Sequence, residues 1–289
     1  MHFLFFFILF LFYVIRIDES PPFQEHYEHT MTPLATTLPI DKNVSQYIEK
    51  NNTYLTVKID KQPDTTPSIA IKPSIKPSPK PRKLYKNISL KRRLKQLHIG
   101  LGRPIFIRIF KKEKLLEVWV KAQEQYVLLK AYDICAFSGH LGPKRKEGDR
   151  QAPEGFYRVK KRQLNPHSSY HLSFNLGYPN RYDKAHYRTG SYLMVHGECV
   201  SVGCYAMTNK YIEEIYHLME EALKQGQPYV QVHAFPFYMS AKNMAKHSRS
   251  RWYDFWSELQ QGYDYFEIEK LPPHILVQKG HYIINEANE

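Results

Sequence analysis

The residues able to do chemistry crowd into one short stretch, VHGECVSVGCYAMTNKYIEEIY, which runs from Val195 to Tyr216. His196, Cys199, Ser201 and Cys204 lie within nine residues, with Gly197 and Gly203 between them. Such a set can serve as a metal clip, a disulfide, a packed core segment, or the working end of a cysteine enzyme. The last has defined physical requirements. The thiol must become a thiolate, which needs a nearby base or a positive helix end. The base needs a hydrogen bond to its other ring nitrogen. Backbone N–H groups must converge where an oxyanion develops. Cys204 lies four residues ahead of Thr208, a plausible helix N-cap, and Gly203 permits a tight turn just before it. His196 closes the apolar run GSYLMVHG, where a strand can hold its ring rigidly. A separation of eight positions permits a loop-back and does not force one.

The competing chemistries are weaker. Zinc accepts nitrogen and sulfur, but no fourth ligand shares the spacing of His196, Cys199 and Cys204, so no metal is expected. Cys199 reads as a core residue or as a disulfide partner of Cys204. Cys135, inside a strand pattern, reads as packed core. Three cysteines are too few for a disulfide framework, and if the chain is exported the odd count leaves at least one thiol unpaired in an oxidising compartment. No G-x-G-x-x-G, P-loop, G-x-S-x-G or H-E-x-x-H motif is present.

The elements that must position these residues occupy the C-terminal two thirds. The first 19 residues contain an unbroken 13-residue apolar run, Phe3 to Ile15. That suits a signal h-region better than a full span, which needs about 20 residues. An export signal is expected, with an uncleaved inner-membrane anchor as its alternative fate. Residues 20–98 hold ten of the 19 prolines, with lysines interleaved, and read as a largely disordered, extended tether. KRRLKQLH at its end suggests a short basic helix. From residue 99 strands dominate: RPIFIRIF and KLLEVWVK with KKEK as the turn, QYVLLKAYDICAF, GFYRVKKRQL, SYHLSFNLGYP, GSYLMVHG and YVQVHAFPF. Residues 138–155 carry four glycines and two prolines and read as a loop. Two helices come late. Ile212, Ile215, Tyr216, Met219 and Leu223 line one face of the first, which Gly226 stops. The second covers NMAKHSRSRWYDFWSELQQG and is closed by Gly262. Signals after LPP (271–273) are weak, so 274–289 reads as a tail. The net charge of +13 points to an acidic partner, but no polybasic block with interleaved aromatics tracks nucleic acid.

MVHGECVSVGCYAMT resembles the active-site motif of the L,D-transpeptidase catalytic domain, the YkuD fold, in its YafK-like subfamily. The flanking segments RPIFIRIFKKEKLLEVWVK, ICAFSGHLGPKRKEGDRQAPEGFYRV, YHLSFNLGYPNRYDKAHYRTGSYLMVHG and FWSELQQGYDYFE resemble it as well. The resemblance spans about residues 103 to 273 and implies a mostly β domain with α, an α+β β-sandwich or barrel with the two helices packed late in the chain. It implies Cys204 as nucleophile, His196 as base, and the Gly197 carbonyl as the group orienting the imidazole. It also implies the amides of Gly203 and Cys204 as the oxyanion hole, with Ser201 a supporting motif residue. Many members of the wider family carry a second histidine two residues before the cysteine; Val202 stands there in this chain.

Function follows as an expectation. A periplasmic cysteine acyltransferase, with no cofactor, forms a thioester with a carbonyl of a peptidoglycan stem peptide and passes it to an amine or to water. The alternative is a hydrolase that cuts stem-peptide bonds or the link to a wall-attached lipoprotein. A second is a non-catalytic wall-binding module. Arg188 and His186 are candidates for substrate carboxylates, and Tyr170, Asn175 and Tyr182 for the groove lining.

Overall fold

The computed structural model describes Tyr85 and residues 88–285. The expected signal segment and nearly all of the expected tether lie outside the described residues. In chain order the elements are helix α1 (Leu90–Gln96), strands β1 (Ile105–Phe110), β2 (Leu115–Ala122), β3 (Gln125–Asp133), β4 (Ala136–Phe137), β5 (Gly155–Val159), β6 (Leu164–Ser168) and β7 (His171–Asn175). There follow α2 (Arg181–Ala185), β8 (Met194–His196), β9 (Tyr205–Ala206), α3 (Asn209–Lys224), β10 (Val230–Phe235), α4 (Ala241–Lys246), α5 (Tyr253–Glu269), β11 (His274–Gln278) and β12 (His281–Asn285). No helix among the described residues is long and apolar enough to cross a membrane.

Two five-stranded mixed sheets and a hairpin make an α+β architecture. The first sheet runs β3-β2-β1-β10-β5, the second β4-β9-β8-β7-β6, and β11 pairs with β12. The parallel neighbours are β1 with β10 and β8 with β9. The run IFIRIF of β1 is apolar without alternation because both faces of its sheet are covered. Ile105, Ile107 and Ile109 join the main core with Val195, Tyr205 and the apolar face of α3. Phe106 and Phe110 point the other way, toward Phe266 and Tyr263 of α5. The face of α3 read from the sequence is buried throughout, and the Thr208 hydroxyl caps it by accepting from Tyr211 N–H.

One segment matches the sequence expectation of a short basic helix, and two differ. The basic stretch near residue 91 is helix α1, capped by Ser89, and its Leu90, Leu94 and flanking Leu97 pack on the main core. The late helix is two helices. Between α4 and α5 the serines of HSRSRW compete for backbone groups, as when Ser250 Oγ accepts from Trp252 N–H. Gly262 does not end α5, which continues to Glu269. A β-carbon at Gly262 would lie 2.7 Å from Phe156 Cζ, so glycine here admits a ring from β5. Gly262→Ala is expected to destabilise by about 1 kcal/mol in urea unfolding. Overpacking of about 1–3 kcal/mol outweighs a helix-propensity gain of about 1 kcal/mol. A stabilised variant would mean that the ring yields freely. The stretch after LPP is the β11–β12 hairpin, whose buried Tyr282 stacks on Tyr182 with ring centroids 4.1 Å apart.

Buried charge holds two joints. Arg108, fully buried, pairs with Glu117 at 2.9 Å and with Glu267 of α5 at 2.8 Å. Lys111 Nζ pairs with Glu154 at 3.1 Å and donates to the Gly142 carbonyl at 2.9 Å. Glu154 in turn accepts from Gly142 N–H at 2.8 Å and from Trp256 Nε1 at 2.9 Å. The loop between β4 and β5 is thereby tied to both β1 and α5.

Candidate active site

The second sheet places the candidate pair. On β8, Val195 points into the core and registers with Tyr205 of β9, while His196 registers with Ala206. Side chains alternate along a strand, so His196 and Ala206 occupy the opposite face. Continuing that alternation one residue ahead of β9 puts Cys204 on the face of His196. The pair is then one strand apart and offset by two residues, about 8 Å between α-carbons for strands ~4.8 Å apart rising ~3.3 Å per residue. The thiol lies over β8. Met194 N–H donates to Cys204 Sγ at 3.4 Å, and the Tyr192 carbonyl lies 3.8 Å from Sγ.

The imidazole of His196 is fixed from both sides. Its Nδ1 donates to the Gly197 carbonyl at 2.7 Å, which assigns the proton of the neutral ring to Nδ1 and leaves Nε2 as the basic nitrogen. The Tyr170 ring lies against it, 4.8 Å between centroids. Gly197 follows the histidine because nothing larger fits: a β-carbon would lie 2.7 Å from Asn209 Oδ1 and 2.9 Å from the Tyr170 carbonyl. Gly203 is glycine for a different reason. Its φ is +108°, and a β-carbon there would meet only Leu193 Cδ1 at 3.6 Å, so conformation and not space requires it. Ser201 closes the turn, its Oγ accepting from Cys204 N–H at 3.1 Å and lying 2.7 Å from the Cys204 carbonyl. Ser138 Oγ adds a bond to the Ser201 carbonyl at 2.8 Å. Of the two amides expected at an oxyanion hole, Cys204's is thus engaged by Ser201 in this state.

Burial raises the thiol pKa of Cys204, only partly offset by the Met194 N–H and the charge of Lys144. Burial likewise lowers His196, against the Gly197 carbonyl and Glu198. Both shifts favour a neutral thiol beside a neutral imidazole over a standing ion pair. Alkylation of Cys204 by iodoacetamide is therefore expected to rise with pH through a midpoint above the ordinary thiol value. Lys144→Met should move that midpoint further up. A midpoint below the ordinary value would indicate a preformed thiolate–imidazolium pair instead.

The other cysteines are joined to each other. Cys135 and Cys199 form a disulfide across 64 positions, and Cys204 is free. This corrects the core assignment of Cys135 and answers the question of a Cys199–Cys204 bond. It also removes Cys199 as a thiolate ligand for zinc. The bond pins a bend in which Glu198 and Cys199 both take left-handed φ, 67° and 51°. His217, Glu220 and Glu221 on α3 converge closely enough for a cation, but Lys224 pairs with both carboxylates.

The remaining candidates separate. Tyr170 belongs to the site through its contact with His196. Tyr182 is buried and stacked on Tyr282. Arg188 is buried, its guanidinium bound to Asp183 at 2.8 Å. Asn175 is a turn residue, its Oδ1 accepting from Gly177 N–H at 2.8 Å. His186 Nε2 is bonded to the Gly280 carbonyl at 2.8 Å on the exposed surface. Sequence reasoning missed the backbone of Tyr192 and Met194, which no residue type reveals. It also missed Lys144, whose signal is the basic run PKRK in the loop.

A family model for the L,D-transpeptidase catalytic domain, YkuD, matches residues 104–232. Two Escherichia coli proteins, from strain K12 and from O157:H7, each bear the name "Putative L,D-transpeptidase YafK". Each is 50% identical over 186 residues, which is 64% of this chain and 76% of theirs. Among solved structures, the helical cell shape determining protein Pgp2 (K307A mutant) of Campylobacter jejuni is similar at 22% identity with a TM-score of 0.39, over 60% of this chain and 61% of that one. Bd1075 of Bdellovibrio bacteriovorus is similar at 23% identity with a TM-score of 0.34, over 57% and 61%. The chain spans less than two thirds of either structure, and likeness at those scores carries no argument. The matched domain and the half-identical relatives do: the chain belongs to the L,D-transpeptidase family of YkuD domains, on its YafK-like branch.

Proposed function

We propose that the chain is a cysteine acyltransferase acting on peptidoglycan stem peptides. One observation carries this reading. The Cys204 thiol lies over β8, on the face where His196 presents Nε2 with its tautomer set by Gly197. In the first half-reaction Cys204 Sγ attacks a stem-peptide carbonyl while its proton passes to His196 Nε2. The C–N bond breaks, the leaving amine takes that proton, and a thioester remains. In the second half an amine or water loses a proton to Nε2 and attacks the thioester. The C–S bond breaks and the proton returns to sulfur. The Gly203 amide, with the Cys204 amide once released from Ser201, faces the developing oxyanion. Work on the cell wall accords with the net charge of +13 and with an export signal in the 13-residue apolar run Phe3 to Ile15, itself part of this reading.

The test is incubation of the full chain with purified sacculi, followed by muropeptide mass analysis and intact-protein mass. An acyl adduct on Cys204 is expected. New crosslinks mark transfer to an amine; shortened stems or released lipoprotein remnants mark transfer to water. If wild type forms no adduct and leaves the same muropeptides as Cys204→Ala, the chain is a binding module.

A further inference from the structure

We propose that the cleft walled by residues 140–146, 186–188 and 251–252 binds the carboxylates of the peptide substrate, a subsite that deepens the acyltransferase reading and rests on it. The cleft encloses about 940 Å³, in the range of sites that hold small-molecule or short peptide ligands. Its lining is cationic: Arg145, Lys146 and Arg251, with His140 and His186 beside them. Asp149 is the single acid in that lining, and it is fully engaged. One oxygen accepts from Lys144 Nζ at 2.6 Å and Gln151 N–H at 3.1 Å, the other from Arg145 N–H at 2.8 Å and Lys146 N–H at 3.1 Å. Arg188 is likewise occupied by Asp183. The side chains of Arg145, Lys146 and Arg251 have no such counter-ion among the described residues.

Trp252 holds two of these cations in place. The Arg251 guanidinium lies 4.6 Å from the indole ring centroid and that of Arg145 lies 5.8 Å away. Stacking on an aromatic face presets an arginine without using its donors. Like charges brought together this way repel, and a bound anion relieves the repulsion. Two planar guanidinium forks match carboxylates in bidentate geometry. The cleft is joined to the thiol through the chain: Thr189 N–H, next to its wall, donates to the Arg145 carbonyl at 3.0 Å. Its Pro143 and Arg145 flank Lys144, whose charge acts on Cys204. Its Tyr187–Arg188 wall runs on to Tyr192, whose carbonyl touches Sγ. Four residues of extended chain span at most about 14 Å, so a peptide of three or four residues can reach from cleft to sulfur.

The test uses the full chain with Cys204→Ala, which binds without turnover, and follows Trp252 fluorescence; Trp252→Phe identifies the signal. The probe is L-alanyl-γ-D-glutamyl-meso-diaminopimelate. Saturable change is expected, weakened at least tenfold when the peptide carboxyls are amidated and at least tenfold in Arg145→Ala/Arg251→Ala. Inorganic phosphate at the same concentration should not compete. Equal binding of the amidated peptide, unchanged binding in the double variant, or competition by phosphate each overturns the carboxylate site. Failure of the two readings is distinguishable. If the cleft idea alone is wrong, the double variant with Cys204 intact still forms the acyl adduct at unchanged KM. If the acyltransferase reading is wrong, the tripeptide binds and no adduct ever appears on wild type.

Discussion

Cys204→Ser is expected to lower muropeptide turnover by roughly 10³-fold or more and to leave the fold intact. The substitution exchanges one atom at a half-buried position, so packing around β8 is preserved. What changes is acidity. A neutral imidazole withdraws a proton from a thiol as the bond to carbon forms; from a serine hydroxyl the same step lies several orders of magnitude further uphill. His196→Ala keeps the thiol and removes its acceptor, and its expected loss is about 10² to 10⁴. Both are read by muropeptide mass against sacculi, with circular dichroism as the control for folding. Wild-type turnover in the serine variant would remove sulfur from the mechanism altogether.

Arg108→Leu is expected to destabilise by about 3–5 kcal/mol in urea unfolding, because it takes the shared guanidinium from two buried carboxylates, leaving Glu117 to neutral donors such as Trp119 Nε1 and Tyr238 OH and Glu267 to Lys270. The guanidinium joins Glu117 of β2 to Glu267 of α5 and is enclosed by Phe110, Trp119, Tyr263 and Phe266, so no water can replace it. Removing the charges together, as in Arg108→Met/Glu117→Gln/Glu267→Gln, should recover most of the loss. A loss below about 1 kcal/mol in the single variant would mean that Trp119, Tyr238 and Lys270 suffice to hold the two carboxylates. The same pairing sets an acid limit. Burial works against the Glu267 charge, but Arg108 and Lys270 outweigh it and hold the carboxyl down to about 2. A carboxylate held below its unfolded value contributes stability above about 4.5, and the contribution is lost as pH falls toward 2. The Arg108→Leu variant, in which Lys270 alone remains beside Glu267, should show that stretch of its acid-unfolding curve reduced.

What the sequence revealed and what it hid divide along physical lines. Helix α3 was legible because one apolar face and one hydroxyl cap both lie within its own residues. The β1–β2 hairpin was legible from its apolar runs and the polar turn between them. His196, Gly197, Ser201, Gly203 and Cys204 could be named because they form one contiguous motif; what their neighbours do in space could not. Gly262 misled because a helix stop and a place for a ring look alike in one dimension, and only Phe156, 106 positions upstream, tells them apart. Tyr182 and Arg188 are candidates by type, and their burial against Tyr282 and Asp183 could not be read from the sequence. The Cys135–Cys199 bond has no local signal across 64 positions. The hairpin at 274–285 is short, and its partners are Tyr182, Phe156 and Glu258, all far away in sequence.

Because Cys135 and Cys199 consume each other, an oxidant that reaches Cys204 finds a sulfur with no mate in the same polypeptide. Its first products are a sulfenic acid or a mixed bond to some outside molecule, and a small reductant entering from solvent reverses both. Arrest is then recoverable while the sulfur stops at those products; with no resolving thiol in the chain, a second oxidant carries the sulfenic acid on to the irreversible sulfinic acid.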